Sequence, residues 1–237
     1  MQSNKIHILS TSPVGEALVK AAVQNDMVID EASFIKIEEI VSAEIEEKIG
    51  ELSHQNITAI FTSKNAVNVV KKFIPTKILW KIFCIGNATK NAVSKVFGEE
   101  NIISTAFYGS QLAEKIIENT SIKKVVFFCG DQRRDELPQK LKSNGIEIEE
   151  IVVYKTIETS QVLSKQYDGI LFFSPSTVQS FFLKNSIHPK TQIFAIGTTT
   201  ANAVKSFTQQ PVIIAETPGK ENLVNLAIKH FSKSEIL

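Results

Sequence analysis

Two stretches of this chain have the same shape. Ala59-Ile60-Phe61-Thr62-Ser63-Lys64-Asn65-Ala66-Val67 and Ile170-Leu171-Phe172-Phe173-Ser174-Pro175-Ser176-Thr177-Val178 each read as a buried apolar strand ending in small polar residues. Ser174 is a good N-cap and Pro175 suits the first helical position, so a helix is expected to start there. The same interval separates Ser63 from Gly86, in Cys84-Ile85-Gly86-Asn87-Ala88-Thr89, and Ser174 from Gly197, in Ala195-Ile196-Gly197-Thr198-Thr199-Thr200. The whole pattern is shifted by 111 residues, a domain-sized step, so the chain must build one architecture twice. Residues 57–118 match 168–229, and residues 1–37 match 120–156 as strand, polar turn, helix and strand. A tandem would cut the chain near residue 119, whereas a wrapped arrangement would join the first segment to the last part. Periodicity leaves both open.

Between these landmarks, strands and helices alternate. Strands are predicted at 6–9, 59–61, 82–85, 102–103, 125–128, 192–196 and 212–214, and one leads into Ser174. Extended chain is predicted at 28–37 and 146–154. Apolar residues recur at helical spacing over 14–24, 40–52, 66–74, 88–97 and 110–118, from 136 to Gly145, and in the helices after Ser174, Gly197 and Gly219. Strands apolar on both faces, joined through helices by short connections, imply parallel sheets flanked by helices, hence an α/β fold with two similar domains. In such sheets the polar turns gather at the carboxyl edge, where ligands bind in open α/β folds.

Composition removes several function classes. With 26 Lys+Arg against 25 Asp+Glu the net charge is +1, which argues against a surface built to coat nucleic acid. No run approaches the ~20 apolar residues of a membrane span. The apolar positions after Lys5 are too few for a signal sequence, so the expected compartment is cytoplasmic. Cys84 and Cys129 end apolar strand-like runs and read as reduced, buried thiols. His7, His54, His188 and His230 lie near no motif, and no metal-ligand spacing occurs. Neither G-x-G-x-x-G nor G-x-x-x-x-G-K-[ST] is present, which argues against a nucleotide-dependent enzyme.

Eight short motifs occur in one order along nearly the whole chain. They are Phe61-Thr62-Ser63, Gly86-Asn87-Ala88-Thr89, Phe127-Phe128-Cys129-Gly130, Arg134-Asp135-Glu136-Leu137-Pro138-Gln139-Lys140-Leu141, Val153-Tyr154-Lys155-Thr156, Phe172-Phe173-Ser174-Pro175-Ser176, Ile196-Gly197-Thr198-Thr199-Thr200 and Ala215-Glu216-Thr217-Pro218. In these the chain resembles the uroporphyrinogen-III synthase family. The resemblance implies the wrapped topology. One domain would comprise 1–34 plus 158–237 and the other 39–153, joined by two extended linkers at about 35–38 and 154–157. It further implies an active site in the cleft between domains, no cofactor, no metal, a monomer, and no nucleic-acid or membrane partner. The substrate implied is hydroxymethylbilane, a linear tetrapyrrole with four acetate and four propionate arms. It loses its terminal hydroxyl as water and closes, through a spiro intermediate, with ring D inverted.

The residues suit that task. Helix N-termini hold anions through free N–H groups. Ser63, Thr89, Ser110, Ser176, Thr198 and Thr199 add hydroxyls there, and Lys64, Arg133 and Lys220 add positive charge. The matching turns contribute Thr62, Gly86, Asn87, Ala88, Gly109, Cys129, Gly130, Ser174, Pro175 and Gly197 as further substrate contacts. A common family variant has Pro-Arg after the first Ser. Here Lys64-Asn65 replaces it, which removes a bidentate guanidinium grip. Tyr154 resembles the tyrosine the family places at its cleft and is the candidate catalytic acid, a phenol protonated at neutral pH. The competing expectation is a non-catalytic two-domain protein that closes on an anionic small molecule.

Overall fold

The computed structural model describes residues 5–74 and 77–234. In chain order the elements are β1 (Ile6–Ser10), α1 (Glu16–Val23), β2 (Met27–Glu31), β3 (Ile35–Glu39), α2 (Ala43–Ser53), β4 (Thr58–Phe61), α3 (Lys64–Val70), β5 (Lys81–Ile85), α4 (Ala88–Phe97), β6 (Ile102–Ala106) and α5 (Gly109–Glu118). Then come β7 (Lys124–Gly130), α6 (Glu136–Ser143), β8 (Glu147–Glu158), β9 (Gly169–Phe172), α7 (Pro175–Phe182), β10 (Gln192–Ala195), α8 (Thr198–Lys205), β11 (Val212–Ile214) and α9 (Lys220–Ser234). The chain divides into two compact units. One holds the residues up to Lys36 and from Ile157 onward, and the other holds Ile37–Thr156.

The first unit is a five-stranded sheet in the order β11-β10-β9-β1-β2, parallel throughout. β1 lies beside β9, with Ile8 opposite Gly169 and Ser10 opposite Leu171. Residues alternate across the sheet. Ile8, Leu171 and Phe194 pack on one face with Leu223 and Phe231, and Leu9, Ile170, Phe172 and Ile193 pack on the other with Val178 and Phe181. Both faces are covered, which is why these strands read as unbroken apolar runs.

The second unit is a six-stranded sheet in the order β3-β8-β7-β4-β5-β6. The pairs among β4, β5, β6, β7 and β8 are all parallel. Here Phe61 and Phe128 stack at 5.3 Å, and Phe128 stacks on Trp80 at 5.4 Å. The Trp80 indole N–H donates to the Leu52 carbonyl at 2.9 Å, so its one polar atom is satisfied in the core. Ile60, Phe83 and Phe127 face the other way, against Leu112, Ile116 and Leu137.

Several elements differ from the sequence expectation: α3 stops at Val70, short of 74, and three others differ for an identifiable reason. The helix predicted from residue 40 starts at Ala43. Its cap is Ser42, whose hydroxyl accepts from the Ile45 N–H at 3.3 Å, and Ile40 instead donates its N–H to the Val153 carbonyl. The extended run 28–37 is two strands, β2 and β3. The run expected to end near 154 continues as the twelve-residue β8, which pairs with β3 on one side and β7 on the other.

Candidate functional site

The carboxyl ends of β4, β5, β7 and β8 define one edge of the second unit. Ser63 follows β4 in an extended conformation, and its hydroxyl accepts from the Asn65 N–H at 3.1 Å, capping α3. The Tyr154 phenol lies near that hydroxyl. Burial is the main cause that raises the Tyr154 phenol above the ordinary phenol range. The nearby Ser63 hydroxyl pulls it back, and Cys129 and Asp131 add to the rise.

The end of β7 is shaped around that ring. The register shifts between Cys129 and Gly130, so Gly130 lies opposite Tyr154. A Cβ at residue 130 would lie 2.4 Å from the Tyr154 ring carbons, so only glycine fits beneath the phenol. Gly130 was expected as a substrate contact; the space a side chain would take there belongs to Tyr154. Cys129 was expected there as well, but its side chain is buried in the core, and burial pushes its thiol up to about 12. Cys84 is buried likewise, with its thiol pushed up to about 11 mainly by burial. Both are inert packing groups.

Gly86 ends β5 and donates its N–H to the Ala106 carbonyl at 2.7 Å. Asn87, exposed, adopts a positive φ of 60° just before α4. Both line a cavity of about 480 Å³ together with Lys90, Phe107, Gln111 and Lys115. Lys90 pairs with Glu99 at 2.8 Å, and Lys115 donates to the Thr105 carbonyl at 2.7 Å. Ala88 opens α4 at the surface, while Thr89 is 6% exposed and faces inward. Gly109 and Ser110 open α5 half-buried.

Thr62 is half-buried, and Lys64 is exposed with no ion pair among the described residues. Arg133 was expected as a free positive charge. Its guanidinium is paired with both Glu150 and Asp135.

The first unit presents the matching edge at the ends of β1, β9 and β10. Ser174 and Thr177 form a capping box, each side chain accepting from the other's N–H at 3.2 Å, with Pro175 at the first helical position. The Ser176 hydroxyl lies 3.0 Å from that of Ser174. Gly197 is extended, with a φ of −179°, and a Cβ there would find Pro218 no closer than 3.9 Å. Thr198 is exposed and Thr199 half-buried, while Thr200, the counterpart of Thr89, is 3% exposed. Lys220, expected as a free charge, donates to the Ser12 hydroxyl at 3.2 Å and to the Pro13 carbonyl.

Sequence reasoning missed two carboxylates at these edges. Glu31 ends β2 and accepts from the Val14 N–H at 2.8 Å and the Gly15 N–H at 3.4 Å, in the turn before α1. Asp131 follows Gly130 and accepts from the Thr156 N–H at 2.9 Å. An acidic residue at a strand end is the only signal either gives in sequence. Among the described residues no three His, Cys, Asp or Glu side chains gather as a metal needs, and no helix is long and apolar enough to cross a membrane.

A sequence model of the family described as "Uroporphyrinogen-III synthase HemD" matches residues 16–225. Two curated relatives carry the name uroporphyrinogen-III synthase. The one from Saccharomyces cerevisiae is 38% identical over 91 residues, 33% of this chain and 32% of the relative. The one from Schizosaccharomyces pombe is 27% identical over 157 residues, 61% and 60% of the two chains. The matches thus span about a third and three-fifths of the relatives' length. Among solved structures, a mutant uroporphyrinogen III synthase from Thermus thermophilus aligns with a TM-score of 0.66 at 11% identity, over 96% of this chain and 99% of that one. A uroporphyrinogen-III synthetase from Helicobacter pylori aligns with a TM-score of 0.63 at 19% identity, over 95% and 99%. At such identities these structures show a shared fold.

Proposed function

The chain belongs to the uroporphyrinogen-III synthase family, and from that premise we propose that it cyclises hydroxymethylbilane to uroporphyrinogen III with loss of water and inversion of ring D. The observation that carries the reading is the Tyr154 phenol. It sits at a carboxyl edge with its ring over Gly130, and burial raises it further above the range in which a phenol ionises near neutral pH. In this reading Tyr154 hydrogen-bonds to the departing hydroxyl and helps it leave as water. A phenol is a weak acid, so its share is on the order of 10²-fold, and orientation of the chain supplies more.

The carboxylate arms are held by N–H groups and hydroxyls at the helix starts. Ser176, Gly197, Thr198 and Thr199 serve in one unit, and Thr62, Gly86, Asn87, Ala88, Gly109 and Ser110 in the other. Lys64 adds charge at the rim. The reading takes 1–34 plus 158–237 and 39–153 as the domains, with the extended crossings as linkers. It makes the protein a cofactor-free, cytoplasmic monomer.

Incubation with enzymatically generated hydroxymethylbilane, followed by isomer analysis of the oxidised products, tests the activity. Type III product well above the spontaneous level is expected. Type I alone, with tight binding of the tetrapyrrole, would instead make the protein a non-catalytic binder.

A further inference from the structure

We propose that Asp131 is a positioning residue for Tyr154, acting as a clamp on the main chain either side of the phenol; this rests on the reading of Tyr154 as the acid. β7 ends at Gly130, opposite Tyr154, but β8 runs on to Glu158, so Lys155 and Thr156 have no β7 residue left to pair with. The turn after β7 takes its place. The Gly130 carbonyl accepts from the Arg133 N–H at 3.2 Å, which closes the turn. The Asp131 N–H donates to the Tyr154 carbonyl at 3.1 Å, and the Asp131 carboxylate accepts from the Thr156 N–H at 2.9 Å. The Gln132 side-chain amide then donates to the Thr156 carbonyl at 3.3 Å.

Three hydrogen bonds therefore continue the ladder past the strand end, and two of them come from side chains. Gly130 lies under the ring, and Asp131 and Gln132 hold the backbone that carries it. A phenol that must meet a leaving hydroxyl within hydrogen-bond reach depends on that backbone, because its ring has only two torsions of its own. The accepted bond, rather than the charge of Asp131, is what the clamp needs. An asparagine at 131 keeps an oxygen for the Thr156 N–H.

The test measures turnover of hydroxymethylbilane by Asp131→Ala, Asp131→Asn and Gln132→Ala, each alone and in a Tyr154→Phe background, with a thermal melt of each. Asp131→Ala is expected to lower kcat about 3- to 10-fold with KM unchanged, and Asp131→Asn to stay within about 2-fold of the parent. In the Tyr154→Phe background the Asp131→Ala effect is expected to vanish, since a residue acting through the phenol has nothing left to position. Gln132→Ala, which deletes one exposed side-chain bond, is expected to give a smaller loss of the same kind, and it carries the test should Asp131→Ala not fold. A loss in kcat that persists undiminished without the phenol would overturn the clamp, as would Asp131→Asn as slow as Asp131→Ala. So would full rates for both Asp131→Ala and Gln132→Ala. Tyr154→Phe running at the parental rate would remove the acid itself, a separate failure seen in a separate variant.

Discussion

Over five strands, with β3 added at one edge of the second, the two units share one order yet use their carboxyl edges differently. β11-β10-β9-β1-β2 in the first corresponds to β6-β5-β4-β7-β8 in the second. In the first, the edge is largely satisfied by its own groups. Ser174 is occupied by its capping box, the Thr11 hydroxyl donates to the Leu171 carbonyl at 2.7 Å, Glu31 holds the N–H groups before α1, and Lys220 is tied to the β1–α1 turn. In the second, Ser63 caps α3 with a single bond and Asn87 takes a positive φ where Thr198 stands in the other copy. A phenol fills the end of the sheet over Gly130. The two copies share the same helix starts, and only the second carries a tyrosine over its β7 end.

Exchanging glycine for alanine at the two edges should show the largest contrast. Gly130→Ala places a Cβ 2.4 Å from Tyr154 ring carbons and should cost about 1–3 kcal/mol of stability, with activity falling along with it. Gly197→Ala, in extended chain with free space around it, should cost less than about 1 kcal/mol. Thermal melts of the pair decide it, and equal losses would erase the distinction.

Tyr154→Phe keeps the ring and its packing and removes only the donor. A slowing of ~10- to 10²-fold is expected, with the enzymatic product still type III. More type I should form only because spontaneous closure then competes, so raising enzyme concentration should restore type III. Type I that persists at high enzyme would mean that the same hydroxyl also chooses the isomer.

Next in size are the caps. Ser174→Ala breaks both bonds of a capping box and should cost about 1 kcal/mol of stability, with little effect on the rate of bound substrate. Ser63→Ala breaks one cap bond on a shorter helix and removes the hydroxyl near the phenol, so its loss should fall on kcat more than on the melt. A reversed pattern would place the proton donor in the wrong copy.

The smallest contrast is in charge. Lys64→Ala removes an exposed ammonium and should weaken product binding by about 1 kcal/mol or less. Lys220→Ala breaks the bonds to Ser12 and Pro13 and should show mainly in stability. Binding titration alongside the melts separates them.

Much of this was legible along the chain. Ser174-Pro175 announced its helix correctly because a cap is a local device whose partners lie within one turn. The apolar runs announced buried strands for the same reason. Side-chain roles were less legible. Thr89 and Thr200 stand in polar motifs but turn inward, since a position in the first turn of a helix can face the sheet as readily as solvent. Arg133 looked free because its partner Glu150 lies on the neighbouring strand. The start of α2 was misjudged because Ile40, apolar and in phase with the helix, is taken by the ladder to Val153. Asp131 gave no signal, since its role depends on where β8 passes.

The sequence by itself determined that strands and helices alternate, that the pattern occurs twice, and where each copy turns from strand to helix. These follow from side-chain periodicity and capping, which act over a few residues. Periodicity did not decide which strands are neighbours; long-range structure did. β1 lies beside β9, and the Thr11 N–H meets the Leu171 carbonyl at 3.1 Å across most of the chain, although periodicity left a simple tandem equally open. Buried parallel strands are alike in composition, so any of them suits either sheet. The choice is made by long-range packing and register, which no local pattern encodes.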